Sequence, residues 1–338
     1  MNPFRSLLPL AVLAAASPLS ADINYHLART LAIGGEGAWD YVTVDAGDGL
    51  LFLPRASHTQ VVEAASGKVI ADIPGQKHNH GVALVPAAGR GFISDGEDGS
   101  VHIFDLKTYQ LLGKVKAADD ADGIIYDPSS NKVFVVCGDS ACVIPISPDV
   151  DPINGHADPS IDLGGKPEFL ASDGKGRLYI NLEDKDQLAV VDTREMRVVA
   201  KWPVAPGGHP VGLAIDRKNG RLFIGCRNPQ KLVVMSTAGG KVLGDVAIGA
   251  GVDACGFDSG LAFASCRDGT LTVAREDGGA WVDAQTVRTK PGARTLGIDP
   301  RSHTIYLPTA AYAPGAAGRP AVMPGSFMVL AVRRAGQP

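Results

Sequence analysis

The 338-residue sequence predicts an all-β chain of repeated four-stranded units, and three observations carry that reading. A unit of roughly 40 residues recurs, each copy opening with an apolar run that usually ends in Asp. Two copies show it plainly, PEFLASDGKGRLYINLEDKDQLAVVDTREMRVVAKWPV (167–204) and PVGLAIDRKNGRLFIGCRNPQKLVVMSTAGGKVLGDVAI (210–248). Each holds three or four short β-branched or aromatic runs separated by Gly, Asp, Asn and Pro. The 41 Gly and 23 Pro supply many turns, and no long amphipathic helical pattern appears. A repeat of this length with four strands per unit predicts a β-propeller.

Taken in order, the first strands of the copies end at Asp45, Val85, Asp127, Asp173, Asp216, Asp258 and Asp299. An aromatic follows seven residues later at Phe52, Phe92, Phe134, Phe223 and Tyr306, and shorter turns place Tyr179 and Phe263 equivalently. Seven copies mean seven blades. The last copy, RTLGIDPRSHTIYLPT then SFMVLAV, stops after three strands, while INYHLARTLAIGG (23–35) precedes the first copy as an unpaired strand. The N-terminal strand is therefore expected to complete the last blade and close the ring, leaving no open edge. On this reading residues 22–338 are one domain.

Residues 1–21, MNPFRSLLPLAVLAAASPLSA, differ from the rest: Arg5 precedes an apolar stretch from Leu7 to Ala16, followed by small residues. That is the pattern of a cleaved signal peptide, too short to span a bilayer. The expectation is a periplasmic or secreted protein, with no membrane span and monomeric. The net charge of −4 and pI of 6.1 offer no basic field, so no nucleic-acid partner is expected.

Export permits disulfides among the five cysteines. Pairing Asp258 with Phe263 sets Cys255 opposite Cys266, whereas Cys137 and Cys142 flank a GDSA turn. Either pair can bridge, the former being the stronger expectation, or the cysteines are small buried residues.

With segments such as VHIFDLKTYQLLGKV (101–115) and LAVVDTREMRVVAKWPV (188–204), the chain resembles the exported YVTN-repeat, YncE-like β-propeller family along its whole mature length. The resemblance implies a fold. Relatives on that scaffold include lactonases, quinoprotein-like subunits and binding proteins, so it selects no activity. Two departures are the Pro-rich connection ISPDVDPINGHADPS and the insertion AAYAPGAAGRPAVMPG (310–325), whose Tyr312, Arg319 and Met323 are placed to fold over the channel as a lid or else form a surface loop.

Candidate site residues come from the repeat alignment. Five places before each strand end stand Asp40, His80, Asp122, Glu168, Val211, Asp253 and Arg294, six of them ionisable. One and two places further out stand Trp39 and Asn79, then His78, Lys166 and His209. The propeller geometry brings all of them to the axis. Like charges about 6 Å apart at an effective dielectric near 20 repel by about 3 kcal/mol per pair, so four carboxylates there require compensation. Arg294 and Lys166 supply part; the remainder calls for a bound cation, a cationic ligand or protonated carboxyls. His78, His80 and His209 with Asp122 or Glu168 suit zinc, copper or iron, while an oxygen cage of Asp40, Asn79, Asp122, Glu168 and Asp253 suits calcium. Trp39, Asp40, Asn79, Lys166 and Arg294 are the expected ligand contacts.

The sequence contains no GxSxG elbow, HExxH, P-loop or dinucleotide fingerprint. Three functions stay open: a binding or accessory protein holding a small molecule, metal ion or partner protein at the channel mouth; a metal-dependent hydrolase or lactonase using the same site; and a ligand-free scaffold.

Overall fold

The computed structural model describes residues 23–313 and 321–336. The expected signal peptide and Arg319 lie outside them. The described chain is all-β, with six sheets of mostly four antiparallel strands and a propeller-like arrangement. Five sheets have four strands. The sixth has seven, because the 17-residue strand Val69–Val85 serves twice: its first half pairs with Ala56–Glu63 and its second half with Arg90–Asp95. Among the described residues no helix is long and apolar enough to cross a membrane.

The repeat register is consistent throughout. Phe52, Phe92, Phe134, Tyr179, Phe223, Phe263 and Tyr306 lie opposite Thr43, Ala83, Ile125, Ala171, Ala214, Gly256 and Gly297. Each partner sits two places before the strand-end position read from sequence, so all seven first hairpins share one register. The terminal Asp has a turn-building role: Asp45, Asp173, Asp216 and Asp299 each accept the backbone N–H two residues on. Where Val85 replaces Asp, a short 3-10 turn at Pro86–Ala88 takes over.

Successive first strands are neighbours, Thr43–Asp45 against the second half of Val69–Val85, and so on to Gly297–Asp299, which in turn contacts Thr43–Asp45. The apolar core is divided into seven clusters lying between adjacent units. The N-terminal strand Tyr25–Ala32 pairs along Met328–Arg334 as the outer strand of the last sheet. Tyr25 and Leu31 are buried by that pairing, and the Tyr25 ring stands edge-on to Phe263 at 5.4 Å.

The cysteine expectation is corrected. The hairpin closes with Asp258 opposite Leu261, not Phe263, so Cys255 faces Ala264; beyond a bulge at Asp253, Cys266 faces Val252. That leaves the two cysteines diagonal rather than opposite. Cys137 and Cys142 do face each other, and all five cysteines are free and buried.

Candidate functional site

Five first strands carry a β-bulge near their start, each placing one extra residue against a single partner. The irregularities fall between Asn79 and Val82, Ala121 and Ile124, Pro167 and Leu170, Pro210 and Gly212, and Val252 and Ala254. They contain His80, Asp122, Glu168, Val211 and Asp253. The bulge re-aims these side chains, and all but Val211 line one cavity. Glycines that follow them let adjacent strands approach: a Cβ on Gly123 would meet the Glu168 carbonyl at 2.8 Å, and one on Gly212 would meet the Ala254 backbone at 2.8 Å.

The cavity, about 370 Å³, is lined by Trp39, Asp40, His78, Asn79, His80, Asp122, Glu168, Asp253 and Arg294, nine of the eleven residues expected from sequence. Tyr41, Arg227 and Arg267 join them. Tyr41 forms the floor: its ring meets Phe169 edge-on at 4.8 Å, and beyond it lies a second, largely apolar space lined by Val42, Val82, Ile124 and Leu296.

One half of the cavity is acidic. His80 Nδ1 is 2.8 Å from Asp40 Oδ2 and 3.4 Å from Asp122 Oδ1. Burial disfavours the imidazolium, but the hydrogen bond to Asp40 and the charges of Asp122, Asp40 and Asp120 outweigh it and lift the pKa to about 9. Burial, together with the charges of Asp40 and Asp120, pushes Asp122 up to about 7 against the pull of His80. Glu168 rises to about 9 through burial, the charges of Asp122 and Glu183, and a hydrogen bond to Glu183. Glu168 is therefore a protonated donor at neutral pH. Burial first, then the same carboxylates, hold Tyr41 well above the usual phenol range.

The other half is basic. Asp253 is clasped by Arg227 and Arg294, and Arg294 also reaches Asp40 at 3.7 Å and the Trp39 carbonyl at 3.2 Å. This doubly paired carboxylate is committed to the arginines and does not join the acidic group as a metal donor.

Lys166 and His209 are not among the lining residues. Both turn to Glu183, Lys166 Nζ at 3.5 Å from Oε1 and His209 Nε2 at 3.2 Å from Oε2, so they act one layer out, behind Glu168. His78 is exposed at the rim with its ring 4.6 Å from that of His80.

Hairpin acids hold the loops that carry these residues. Asp95 accepts the N–H groups of Lys77 and His78, Asp184 that of Lys166, Asp186 that of His209 and Asp268 that of Ala250. Arg55, only 1% exposed, fixes the Trp39–Asp40 approach by donating to the carbonyls of Gly34, Gly35, Gly37 and Ala38 and to Gln60, with its guanidinium 3.6 Å over the Phe327 ring. The insertion's two described arms pair through Tyr312 and Val322, and the Tyr312 ring lies 6.4 Å from Trp39.

Four polar atoms of the lining are buried without a hydrogen-bond partner: Trp39 Nε1, Asn79 Oδ1, His80 Nε2 and Asp122 Oδ1. One donor atom each from Asp40, His80 and Asp122 lies within 4.8 Å of the others, a spacing that suits a metal ion in donor type. A metal there must displace the His80 proton.

No protein-family model and no curated protein matches the chain. Among solved structures it is similar to a chain of Kuenenia stuttgartiensis hydrazine synthase at 16% identity and a TM-score of 0.69, covering 82% of this chain and 92% of that one. It is also similar to a chain of the mitotic checkpoint complex at 12% identity and a TM-score of 0.73, covering 91% and 96%. At these identities the likeness extends to the fold alone.

Proposed function

We propose that the chain is an exported, monomeric seven-bladed β-propeller of the YVTN-repeat, YncE-like type that works as a binding or accessory protein, holding a small ligand in its axial cavity. Counting Val69–Val85 as a member of two blades gives seven, and the N-terminal strand then closes the ring. The observation that carries the binding reading is the convergence of nine sequence-equivalent or adjacent residues, eight of them polar or charged, on one cavity that also holds four buried polar atoms without a hydrogen bond. Folded proteins rarely leave such atoms unmet, and a cluster of them points to a ligand.

The ligand chemistry follows from the two halves. A calcium, zinc or copper ion meets Asp40, His80 and Asp122 in exchange for the His80 proton, an organic ammonium meets the Asp40 and Asp122 carboxylates, and an anionic group faces Arg294 and Arg227. Asp253 screens the arginines, so the acidic half is the stronger determinant. A docked partner protein presenting such groups on a loop would use the same contacts.

A second reading, a hydrolase or lactonase, is favoured by one observation: Glu168 raised to about 9 is a competent general acid beside Asp122, which titrates near 7. Calorimetric titration of chelator-treated protein with calcium, zinc and copper, followed by a panel of lactones, esters and small amines, tests both. Binding that is lost in His80→Ala supports the site. Turnover lost in Glu168→Gln supports the enzyme, and no heat with any probe leaves the bare scaffold.

A further inference from the structure

We propose that Cys137 and Cys142 form a redox-active dithiol, a site of reversible oxidation by low-molecular-weight disulfides. Strands Lys132–Cys137 and Cys142–Ile146 form a hairpin through the turn Gly138–Asp139–Ser140–Ala141, and the two cysteines close it as directly opposed residues. The class of that pairing can be worked out from Pro145. Proline has no N–H, and the Pro145 carbonyl accepts from Asp158 on the far side of the strand, so Phe134 and Pro145 exchange no backbone bonds. Antiparallel pairs alternate, which makes Val135–Ile144 a bonded pair, Val136–Val143 an unbonded one and Cys137–Cys142 a bonded one.

In a bonded pair the Cα atoms stand about 5.5 Å apart, inside the roughly 4.4–6.8 Å span a disulfide can bridge. The side chains diverge more than in an unbonded pair, so the bridge forms under strain and is correspondingly easy to reduce. That distinguishes it from a permanent structural bond. The remaining cysteines lack the geometry: Cys255 and Cys266 are diagonal, and Cys226 and Cys266 each direct the sulfur to a backbone carbonyl of their own strand.

Chemical asymmetry within the pair assigns the roles. The hydrogen bond between the two thiols pulls Cys142 below the usual thiol range and, with burial, pushes Cys137 up. Cys142, 6% exposed, lies directly behind the exposed turn residues Asp139 and Ser140, and when the turn opens its thiolate attacks the external disulfide, forming a mixed disulfide and releasing one thiolate. Cys137 then gives up its proton, attacks Cys142 Sγ and expels the second. Two protein thiols are oxidised and one disulfide is reduced to two thiols, with no further reactant. The hairpin turn is tied to the cavity loop, since Gly138 donates to the Asp120 carbonyl at 2.8 Å, two residues before Asp122.

The test uses native protein equilibrated with oxidised glutathione, quenched with acid, alkylated in denaturant and digested with trypsin. Residues 133–175 form one fragment holding both cysteines and no other. The expected result is a fragment that resists alkylation and is lighter than the dithiol by two hydrogens, becoming doubly alkylated after reduction, with Cys226, Cys255 and Cys266 alkylated in every sample. Cys137→Ser is expected to stop at the glutathione adduct on Cys142. A doubly alkylated fragment after native oxidation, a wild-type adduct that never closes, or a bond between Cys255 and Cys266 would each overturn the proposal.

Discussion

Replacing Glu168 by Gln is expected to stabilise the ligand-free protein, and increasingly so as pH rises. The folded-state pKa of Glu168 is about 9 against an ordinary value of 4.5. A carboxyl whose folded pKa is raised favours folding when both states hold the proton; stability then falls as pH climbs from the unfolded value to the folded one, because folding must take up a proton. At about 1.4 kcal/mol per unit, the loss between pH 5 and pH 8 would approach about 4 kcal/mol for a fully desolvated group. Glu168 is only partly buried, and solvent screening brings the expectation to about 2 kcal/mol. Gln cannot titrate, and its amide can still donate to Glu183. Urea unfolding of both proteins near pH 5 and near pH 8, after chelator treatment, should show the variant gaining about 2 kcal/mol relative to wild type between the two conditions. An equal difference at both pH values, or a variant less stable near pH 8, would refute the protonated-carboxyl account.

Two further outcomes concern the scaffold. Arg55→Met should cost about 3 kcal/mol, because it strands four loop carbonyls and Gln60 that now share one buried guanidinium; denaturant midpoints measure it, and a loss under about 1 kcal/mol would show the loop is held otherwise. Deleting residues 22–34 removes the buried Tyr25 and Leu31 and bares the edge of Met328–Arg334, so the melting temperature should fall steeply, the two side chains alone being worth about 4 kcal/mol. A truncated protein that melts like the full chain would refute ring closure.

How far the sequence was legible depends on which physical signal each feature leaves. The equivalence of the seven first hairpins was readable because an aromatic must fill the space between units at a fixed distance from a turn-capping Asp, although their pairing register was not, since the aromatic lies opposite the residue two places before that Asp. The fusion of two units through Val69–Val85 was not, since IPGQK between them reads as a turn, and Gly75 does take a positive φ there, although the strand resumes its pairing on the far side. The convergence of Asp40, His80, Asp122, Glu168, Asp253 and Arg294 followed from repeat alignment alone. The bulges that aim four of them leave only a faint trace, the glycine after His80, Asp122 and Val211. The Cys255–Cys266 pairing failed for a different reason: the tight turn pairs Asp258 with Leu261, which moves every later pair two residues from the Asp258–Phe263 register. Pairwise choices among charged side chains were beyond the repeat pattern: nothing in the spacing says that Lys166 and His209 will turn to Glu183, or that Asp253 will be shared between two arginines.

Those pairings alter the charge argument from which the cation was first expected. Asp253 is offset by Arg227 and Arg294, Glu168 keeps its proton, and a protonated His80 lies between Asp40 and Asp122. The cavity thus carries its own compensation, and an incoming cation competes with a proton already there. This gives the two kinds of cation different pH signatures. A divalent metal taking Asp40, His80 and Asp122 must release the His80 proton, so its apparent affinity should rise about tenfold per pH unit from pH 7 to near 9, and more steeply below pH 7, where Asp122 must lose a proton as well. An organic ammonium leaves His80 charged and needs only the ionised Asp122, so its affinity should level off above about pH 7. Calorimetry between pH 6 and pH 9, in pairs of buffers that differ in ionisation enthalpy, counts the protons released. A metal that binds with no proton release and no rise above pH 7 would mean that His80 is not its ligand.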